Sequence, residues 1–312
     1  MSEKILITGG AGYIGSVLTK LLLREGYNVT VIDNFFYDQQ SLLDCAVHKN
    51  FNLINGDIRD QELIEKHMRN VDIIIPLAGL VGAPICKKFP ILSNEVNYEA
   101  SIKLIKKKNS NQRIIMPTTN SAYGTGNKDN YCDENTPLKP ISVYAEQKVE
   151  LEKKLMGKNN VTSLRLATVF GPSPRMRLDL LVNDFTYRAY KDGFIVLYES
   201  EFKRNYIHVY DIANVFLFCI KNTNKTNNEI FNVGLSDTNI SKLELCQRIK
   251  RIVPNLNIIE SQFKKDPDQR NYIVSNDKIE SCGYKTIFSL EDGIHSLLNC
   301  FKILKSNSNS NV

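Results

Sequence analysis

The stretch Lys4-Ile5-Leu6-Ile7-Thr8-Gly9-Gly10-Ala11-Gly12-Tyr13-Ile14-Gly15 decides the fold. Its first five residues form an apolar run of strand length. The glycines break that run, and Leu18, Leu21 and Leu22 then recur at helical spacing. A strand, a glycine turn and a helix in that order give the Gly-x-Gly-x-x-Gly pattern its meaning, because the amides at the helix N-terminus then face an anion. Gly10 permits the tight turn, Gly12 lets a pyrophosphate approach the backbone, and Gly15 lets helix and strand pack closely. A second apolar run, Asn28 to Ile32, ends at Asp33, about 18 residues past Gly15. An acid there accepts hydrogen bonds from ribose hydroxyls and repels a 2′-phosphate, which predicts NAD over NADP. No arginine follows to compensate, since Asn34 and Phe35 take the next places.

The alternation continues outward. Phe51 to Asn55 reads as a strand leading into Gly56-Asp57-Ile58-Arg59, and Gln61 to Met68 as a helix. Asp72 to Ile75 is a buried strand ending in Pro76-Leu77-Ala78-Gly79. Residues 93 to 108 form a helix, and Arg113 to Met116 a strand leading into Thr118-Thr119-Asn120-Ser121-Ala122-Tyr123-Gly124. Strands alternating with helices predict an α/β protein with a doubly wound parallel sheet and a cofactor at the carboxyl edge of its strands. Asp57, Leu77, Ala78, Gly79 and Thr119 fall on that edge; Asp57 has the alternative reading of a helix N-cap. Val161 to Leu166 supplies a sixth strand, and beyond it the pattern loosens. Gly171 to Arg177 is a loop with two arginines, an apolar helix lies near 180–191, and short elements follow to about residue 304. The expected organisation is a cofactor-binding unit over 1–170, to which segments such as 204–221 return, and a smaller interleaved α/β substrate lobe over 171–304. Residues 305–312 have the polar, repetitive composition of a disordered tail.

Tyr144-Ala145-Glu146-Gln147-Lys148 carries the candidate chemistry. Residues four apart on a helix share a face. A free phenol, with a pKa of about 10, is a poor base near neutrality, and an ammonium beside it favours the phenolate. A shift of about 3 units takes roughly 4 kcal/mol. The same spacing suits an ordinary amphipathic helix, so its weight comes from the rest of the chain. Tyr123 is a rival, but it has no cation within four residues along the chain. His208 reads as a packed core histidine.

With 312 residues, 42% of them hydrophobic and 24% charged, the chain has the make-up of a globular protein with a sizeable core. No apolar run reaches the roughly 20 residues of a membrane span. The first residues enter a strand without a secretory signal, so a cytoplasmic protein with no membrane partner is expected. Seven cysteines without CxxC pairs and four histidines without ligand spacing predict reduced thiols and no metal. The net charge of +6 is spread out, and its densest run, Lys106-Lys107-Lys108, lacks interleaved aromatics or arginines. Nucleic acid is therefore not the expected partner, and a polyanionic small substrate is.

Taken together, Thr8 to Gly15 with Asp33, Gly56-Asp57, Thr119 four residues before Tyr123-Gly124, Tyr144-x-x-x-Lys148 and Arg204 to Val209 resemble the extended short-chain dehydrogenase/reductases. These are the NAD-dependent nucleotide-sugar epimerases and dehydratases, and the resemblance runs from residue 4 to about 300. Leu80 to Cys86, Thr118 to Gly124 and Ala167 to Tyr190 are similar to the branch that includes GDP-heptose C4 dehydrogenases of capsular polysaccharide synthesis. The resemblance implies a Rossmann fold, bound NAD, a nucleotide-diphosphate sugar substrate and a homodimer. It implies Tyr144 as base, Lys148 as the residue that lowers its pKa and holds the nicotinamide ribose, and Thr119 as the hydroxyl that bonds the reacting sugar oxygen. Gly9, Gly10, Gly12, Tyr13, Ile14 and Gly15 would form the phosphate turn, Asp33 and Asn34 the ribose site, and Asp57 and Ile58 the adenine edge. Leu77, Ala78 and Gly79 would line the groove. Arg204, with Arg270 as a second candidate, would neutralise the substrate diphosphate. Arg175 and Arg177 suit phosphate but equally suit the surface. Val81, Asn120, Ser121 and Asn183 would belong to the substrate site.

Two departures qualify the resemblance. Dehydratases of this kind place an acidic pair directly after the threonine. Asn120 and Ser121 stand there, and neither is a general acid near neutrality, which argues against 4,6-dehydration. Thr168 stands where many relatives carry an Asn beside the diphosphate. The reading that follows is an NAD-dependent oxidoreductase in which Tyr144 takes the proton of a sugar hydroxyl, at C4, while the carbon's hydride passes to the nicotinamide. Release of the ketone, and its reduction from the other face as a 4-epimerase, both stay open. A silent NAD-binding scaffold or redox sensor is the rival from another class, and the intact Thr119–Tyr144–Lys148 set counts against it.

Overall fold

The apolar runs become strands buried on both faces, as a parallel sheet covered by helices requires. A computed structural model describes residues 2–125, 131–261 and 270–304, and the tail predicted at 305–312 lies outside them. Strands β1 (Lys4–Thr8), β2 (Asn28–Asp33), β3 (Phe51–Asn55), β4 (Ile73–Pro76), β5 (Arg113–Thr119) and β6 (Val161–Leu166) follow the predicted runs closely. Every residue of β4, β5 and β6 is buried, whereas β3, at the sheet edge, is half exposed. Among the described residues the sheet has seven parallel strands, in the order β11 (Glu229–Val233)-β6-β5-β4-β1-β2-β3. Strand order reverses between β1 and β4, which opens a crevice at their carboxyl ends.

The seventh strand, β11 (Glu229–Val233), was not legible in the pattern. Between β6 and β11 lie β7 (Thr168–Phe170), β8 (Phe194–Leu197), β9 (Lys203–Arg204) and β10 (Tyr206–His208), and after it β12 (Ile240–Ser241) and β13 (Asn257–Glu260). β7 pairs with β10, β8 with β13 and β9 with β12. The helices are α1 (Tyr13–Arg24), α2 (Gln61–Met68), α3 (Ala83–Lys88), α4 (Pro90–Ser93), α5 (Ser101–Lys107), α6 (Val143–Met156), α7 (Leu181–Lys191) and α8 (Val209–Lys221). α9 (Thr223–Thr226), α10 (Lys242–Ile252), α11 (Asp277–Ser281) and α12 (Leu290–Phe301) complete them.

On one face of the sheet the core joins α1 to α8; on the other it joins α2, α5 and α6. A third core, built from α7, α10 and α12, fills the second lobe. Where a single helix is predicted over 93–108, the chain forms the end of α4, a π-helical turn at Asn94–Ala100, and α5. The wide turn has a structural use. Asn97 accepts from Leu80 N at 2.8 Å and donates to Leu80 O at 2.9 Å, so one buried amide holds the loop after β4. No helix among the described residues is long and apolar enough to cross a membrane.

Candidate active site

The crevice is shaped first by its glycines. Gly9 has φ +72, and a Cβ there would lie 2.5 Å from Ala78 N. The tight left-handed turn is thus at Gly9 and not at Gly10, whose bare Cα instead admits the Val31 side chain. Gly12 caps α1, and a Cβ at Gly15 would come within 2.4 Å of Gly9 O, which leaves only glycine where helix meets turn. Asp33 is aimed by its own hydrogen bonds. It accepts from Ala11 N and Phe35 N, each at 2.9 Å, and from Gln39 Nε2 at 3.3 Å. Burial pushes its pKa up, and these donors oppose the shift.

One cavity is lined by Gly9, Gly12, Asp33, Asn34, Asp57 and Ile58, together with Leu77, Ala78 and Gly79. Asp57 accepts from Arg59 N and Nε at 2.9 Å, from Arg59 Nη2 at 3.0 Å and from Asn34 Nδ2 at 3.1 Å. The Arg59 bonds hold its carboxyl below the usual range. Asp60, and not Asp57, caps α2 by accepting from Leu63 N, so the N-cap reading of Asp57 falls. A glycine cradle at a helix N-terminus, beside a pinned carboxylate, fits a dinucleotide. Tyr13 and Ile14 do not line this cavity. The Tyr13 hydroxyl donates to Gly171 O at 2.6 Å, and Ile14 packs into the core beneath.

The second group of residues gathers at the carboxyl end of β5. Ser142 caps α6 by accepting from Ala145 N at 3.3 Å, which starts the helix just before Tyr144. One turn on, Lys148 Nζ reaches Pro117 O at 3.4 Å, two residues short of Thr119. Burial pushes the Tyr144 phenol up to about 12 and the Lys148 ammonium down to about 8. The cations that pull the phenol back down are Arg177 and Arg270. Thr119 Oγ1 donates to Ser121 Oγ at 3.0 Å and accepts from Ser121 N at 3.1 Å, while Arg270 Nη1 also donates to Ser121 Oγ. Arg270 therefore stands by the threonine. Arg204, buried on β9, joins it in bearing on the Tyr206 hydroxyl.

The remaining candidates are dispersed. Asn120 is fully buried, and its amide has no hydrogen-bond partner among the described residues. Arg177 bonds Asp179 at 2.5 Å and Val81 O at 3.2 Å. Arg175 lies over the Tyr37 ring, 4.4 Å from its centre, and donates to Met176 O. Asn183 is fully buried, its amide bonded to Tyr13, Gly171 and Arg177, so it shapes the loop between them. The Tyr123 hydroxyl accepts from Arg165 Nη1 at 2.8 Å and contacts Asp133 O and Asn232 Oδ1 at the same distance. The cation missing along the chain thus arrives through space. Proximity in sequence could not reveal Arg165, nor Arg270 at Ser121. His208 is a core residue, stacked on Phe288 at 4.2 Å, and burial pushes its pKa down to about 4.

The family model of the NAD dependent epimerase/dehydratase family matches residues 5–234. UDP-glucuronic acid decarboxylase 1 of Xenopus tropicalis is 28% identical, over 96% of this chain and 72% of its own length. UDP-glucose 4-epimerase of Lactobacillus helveticus is 27% identical, over 80% of this chain and 81% of its own. The UDP-glucuronic acid 4-epimerase of Bacillus cereus, solved with UDP-glucuronic acid and NAD, superposes with a TM-score of 0.84 at 22% identity, over 97% of this chain and 100% of that one. That likeness shows the fold. The match to the family begins inside β1 and ends one residue past β11, so it takes in the whole sheet and the glycine cradle: the chain belongs to the NAD-dependent epimerase/dehydratase family and is an enzyme of that class.

Proposed function

We propose that this enzyme oxidises the C4 hydroxyl of a nucleotide-activated sugar, with Tyr144 as the base. The observation that carries the reading is the hydrogen-bonded set of Thr119, Ser121 and Arg270 at the end of β5, with Arg270 bearing electrostatically on Tyr144. Bound NAD supplies the hydride acceptor. Tyr144 takes the hydroxyl proton; the guanidinium groups of Arg177 and Arg270 oppose the burial that raises its phenol to about 12, and the positive nicotinamide of NAD would add a further charge that favours the phenolate. Thr119 can turn its hydroxyl from Ser121 to the sugar oxygen, because Ser121 keeps Arg270 as a donor. Lys148, held on Pro117 O, is the candidate for the nicotinamide ribose.

Elimination of water lacks a proton donor in this reading. Asn120 and Ser121 occupy the places of the acid pair, and Ser121 is bonded to a cation. The finer assignment, a GDP-heptose in capsular polysaccharide synthesis, rests on the likeness of residues 80–86, 118–124 and 167–190, and a homodimer rests on the family resemblance alone. Epimerisation at C4 is the second reading, favoured by the relatives that are 4-epimerases. The test is to denature purified protein, identify the nucleotide it releases, and offer fresh protein a panel of GDP-, UDP- and dTDP-sugars. A product lighter by two hydrogens supports oxidation, and unchanged mass with an inverted C4 supports epimerisation. A product lighter by one water would overturn both.

A further inference from the structure

The crevice opens at the carboxyl ends of β1 and β2, and a side-chain bridge crosses the end expected to take the adenine. Arg59 stands in the loop after β3, and Glu95 in the π turn that follows β4 and α4. In the sheet β2 and β1 lie between β3 and β4, so partners on those two segments must reach past the ends of both strands. Arg59 does so. Its Nη1 meets Glu95 Oε2 at 2.8 Å.

Arg59 is braced on its own side. Asp57 Oδ1 accepts from Arg59 N and Nε, each at 2.9 Å, and Oδ2 accepts from Arg59 Nη2 at 3.0 Å and from Asn34 Nδ2 at 3.1 Å. A carboxylate offers roughly four acceptor positions, and here the protein itself fills them. The paired bonds to Nε and Nη2 are the fork-like contact that fixes a guanidinium plane. Segments after β2, β3 and β4 are thereby linked in a row. The bridge also has an inside and an outside. Inward, Asp57 and Arg59 line the nucleotide cavity beside Ile58, Leu80, Leu92 and Val96, an apolar slot of the kind a purine base fills. Outward, the same two residues line a second hollow with Glu95, Glu99 and Lys103. They stand between the two.

We propose that Asp57, Arg59 and Glu95 form the end stop of the cofactor groove, which limits the size of the base the slot accepts and slows release of the base end of NAD. Arg59 is the bar, Asp57 its mount, and Glu95 the catch on the far side. Only the catch has to give way for the groove to open towards the outer hollow. Arg59 and Glu95 keep 43% and 39% of their side chains exposed, so salt screens the catch and its worth is small, about 2–5-fold. The inference rests on NAD binding, which belongs to the family, and on the base lying at Ile58.

Stopped-flow displacement of bound NAD tests the release, and calorimetry tests the base, with NAD, its etheno-adenine analogue (one ring wider at the base) and nicotinamide mononucleotide. Glu95→Gln, which leaves Arg59 on Asp57, should speed NAD release by about 2–5-fold at low salt. In about 1 M salt, where the Debye length is about 3 Å, the difference from wild type should vanish. Glu95→Ala should bring the affinity for the etheno-adenine analogue several-fold closer to that for NAD. Nicotinamide mononucleotide, which has no adenine, should bind both variants as it binds wild type. Unaltered release together with unaltered base preference would overturn the end stop and leave a surface ion pair only. An effect that persists in full at high salt would overturn it too, as would one that falls equally on nicotinamide mononucleotide, since a shift of the whole groove would then be the cause. A wild-type chain that binds none of NAD would instead overturn the cofactor reading, and the end stop with it.

Discussion

Burial raises the phenol pKa of Tyr144 and Tyr123 alike, so burial does not choose between them. Their partners do. Tyr123 is held by Arg165, Asn232 and Asp133 O, whereas Tyr144 makes no side-chain hydrogen bond among the described residues and feels the charges of Arg177 and Arg270. Tyr144→Phe should lower turnover by about 10²–10⁴-fold while NAD stays bound. Tyr123→Phe should keep turnover within a few-fold and destabilise the fold by about 1–3 kcal/mol in urea titration, because it strands the buried acceptors Asp133 O and Asn232 Oδ1. The reverse pattern would move the base to Tyr123. Lys148 gives a pH signature. Its pKa falls from 10.5 to about 8 on folding. Below pH 8 the folded state therefore bears the full penalty of the buried ammonium; between 8 and 10.5 only the unfolded chain holds the proton, and stability rises with pH. Lys148→Met should stabilise the nucleotide-free enzyme at pH 7 by up to about 3 kcal/mol and abolish that rise, yet weaken NAD and slow turnover. A destabilised variant would mean that the ammonium has a structural partner. The glycine turn, Asp33 and the Tyr144–Lys148 pair were legible because each is a local pattern. Arg165 at Tyr123 and Arg270 at Ser121 were not, because those contacts close over 42 and 149 residues.

Among the elements, α6 and β5 set the geometry of the site, and a third residue joins the pair to do so. Tyr144, Lys148 and Glu152 are spaced by four on α6, so they share its inner face. Glu152 accepts from Thr118 Oγ1 at 3.0 Å and Ser163 Oγ at 2.7 Å, and pairs with Arg165 Nη2 at 2.6 Å. The helix is thereby fastened to β5 and β6 at the residue next to Thr119. Both side chains are about as dry as a protein interior allows, at 6% and 5% exposure. Removing one partner of such a pair costs about 3–5 kcal/mol, while removing both can be nearly neutral. Glu152→Leu alone should therefore lose most of that stability, and the Glu152→Leu/Arg165→Met double variant should recover a good part of it. A double-mutant cycle in urea should give a coupling above about 1 kcal/mol; additive losses would show that the two residues are fastened separately. Helical spacing alone predicted the inner face of α6, but not that an acid on it was buried. The π turn at Asn94–Ala100 was equally hidden, since its cause is the bond between Asn97 and Leu80 and not its own composition.

At the scale of the whole molecule, the alternation of strands and helices was readable up to β6, because each such unit is local, and was lost where the chain crosses to the second lobe and back. β11 pairs with β6 only after the chain has built β7 to β10 and α7 to α8. Its residues Glu229 to Val233 carry no pattern of their own that demands a sheet. This interleaving makes a prediction about the expected cofactor-binding unit, residues 1–170. Cut there, the chain keeps the glycine cradle, Asp33, Tyr144 and Lys148, but loses the layer that covers α1 and the β6 edge. Ile207, Val209, Ile212, Val215, Phe216, Phe231 and Val233 are all completely buried in the core shared with α1. Burying one such side chain is worth about 1.5–3 kcal/mol, so together they are comparable to the roughly 5–15 kcal/mol that stabilises a whole domain. The fragment 1–170 should show no cooperative urea transition and no heat of NAD binding, while the full chain shows both. A fragment that unfolded sharply and bound NAD would mean that six strands suffice, and that β11 and α8 are later additions resting on a sheet already complete.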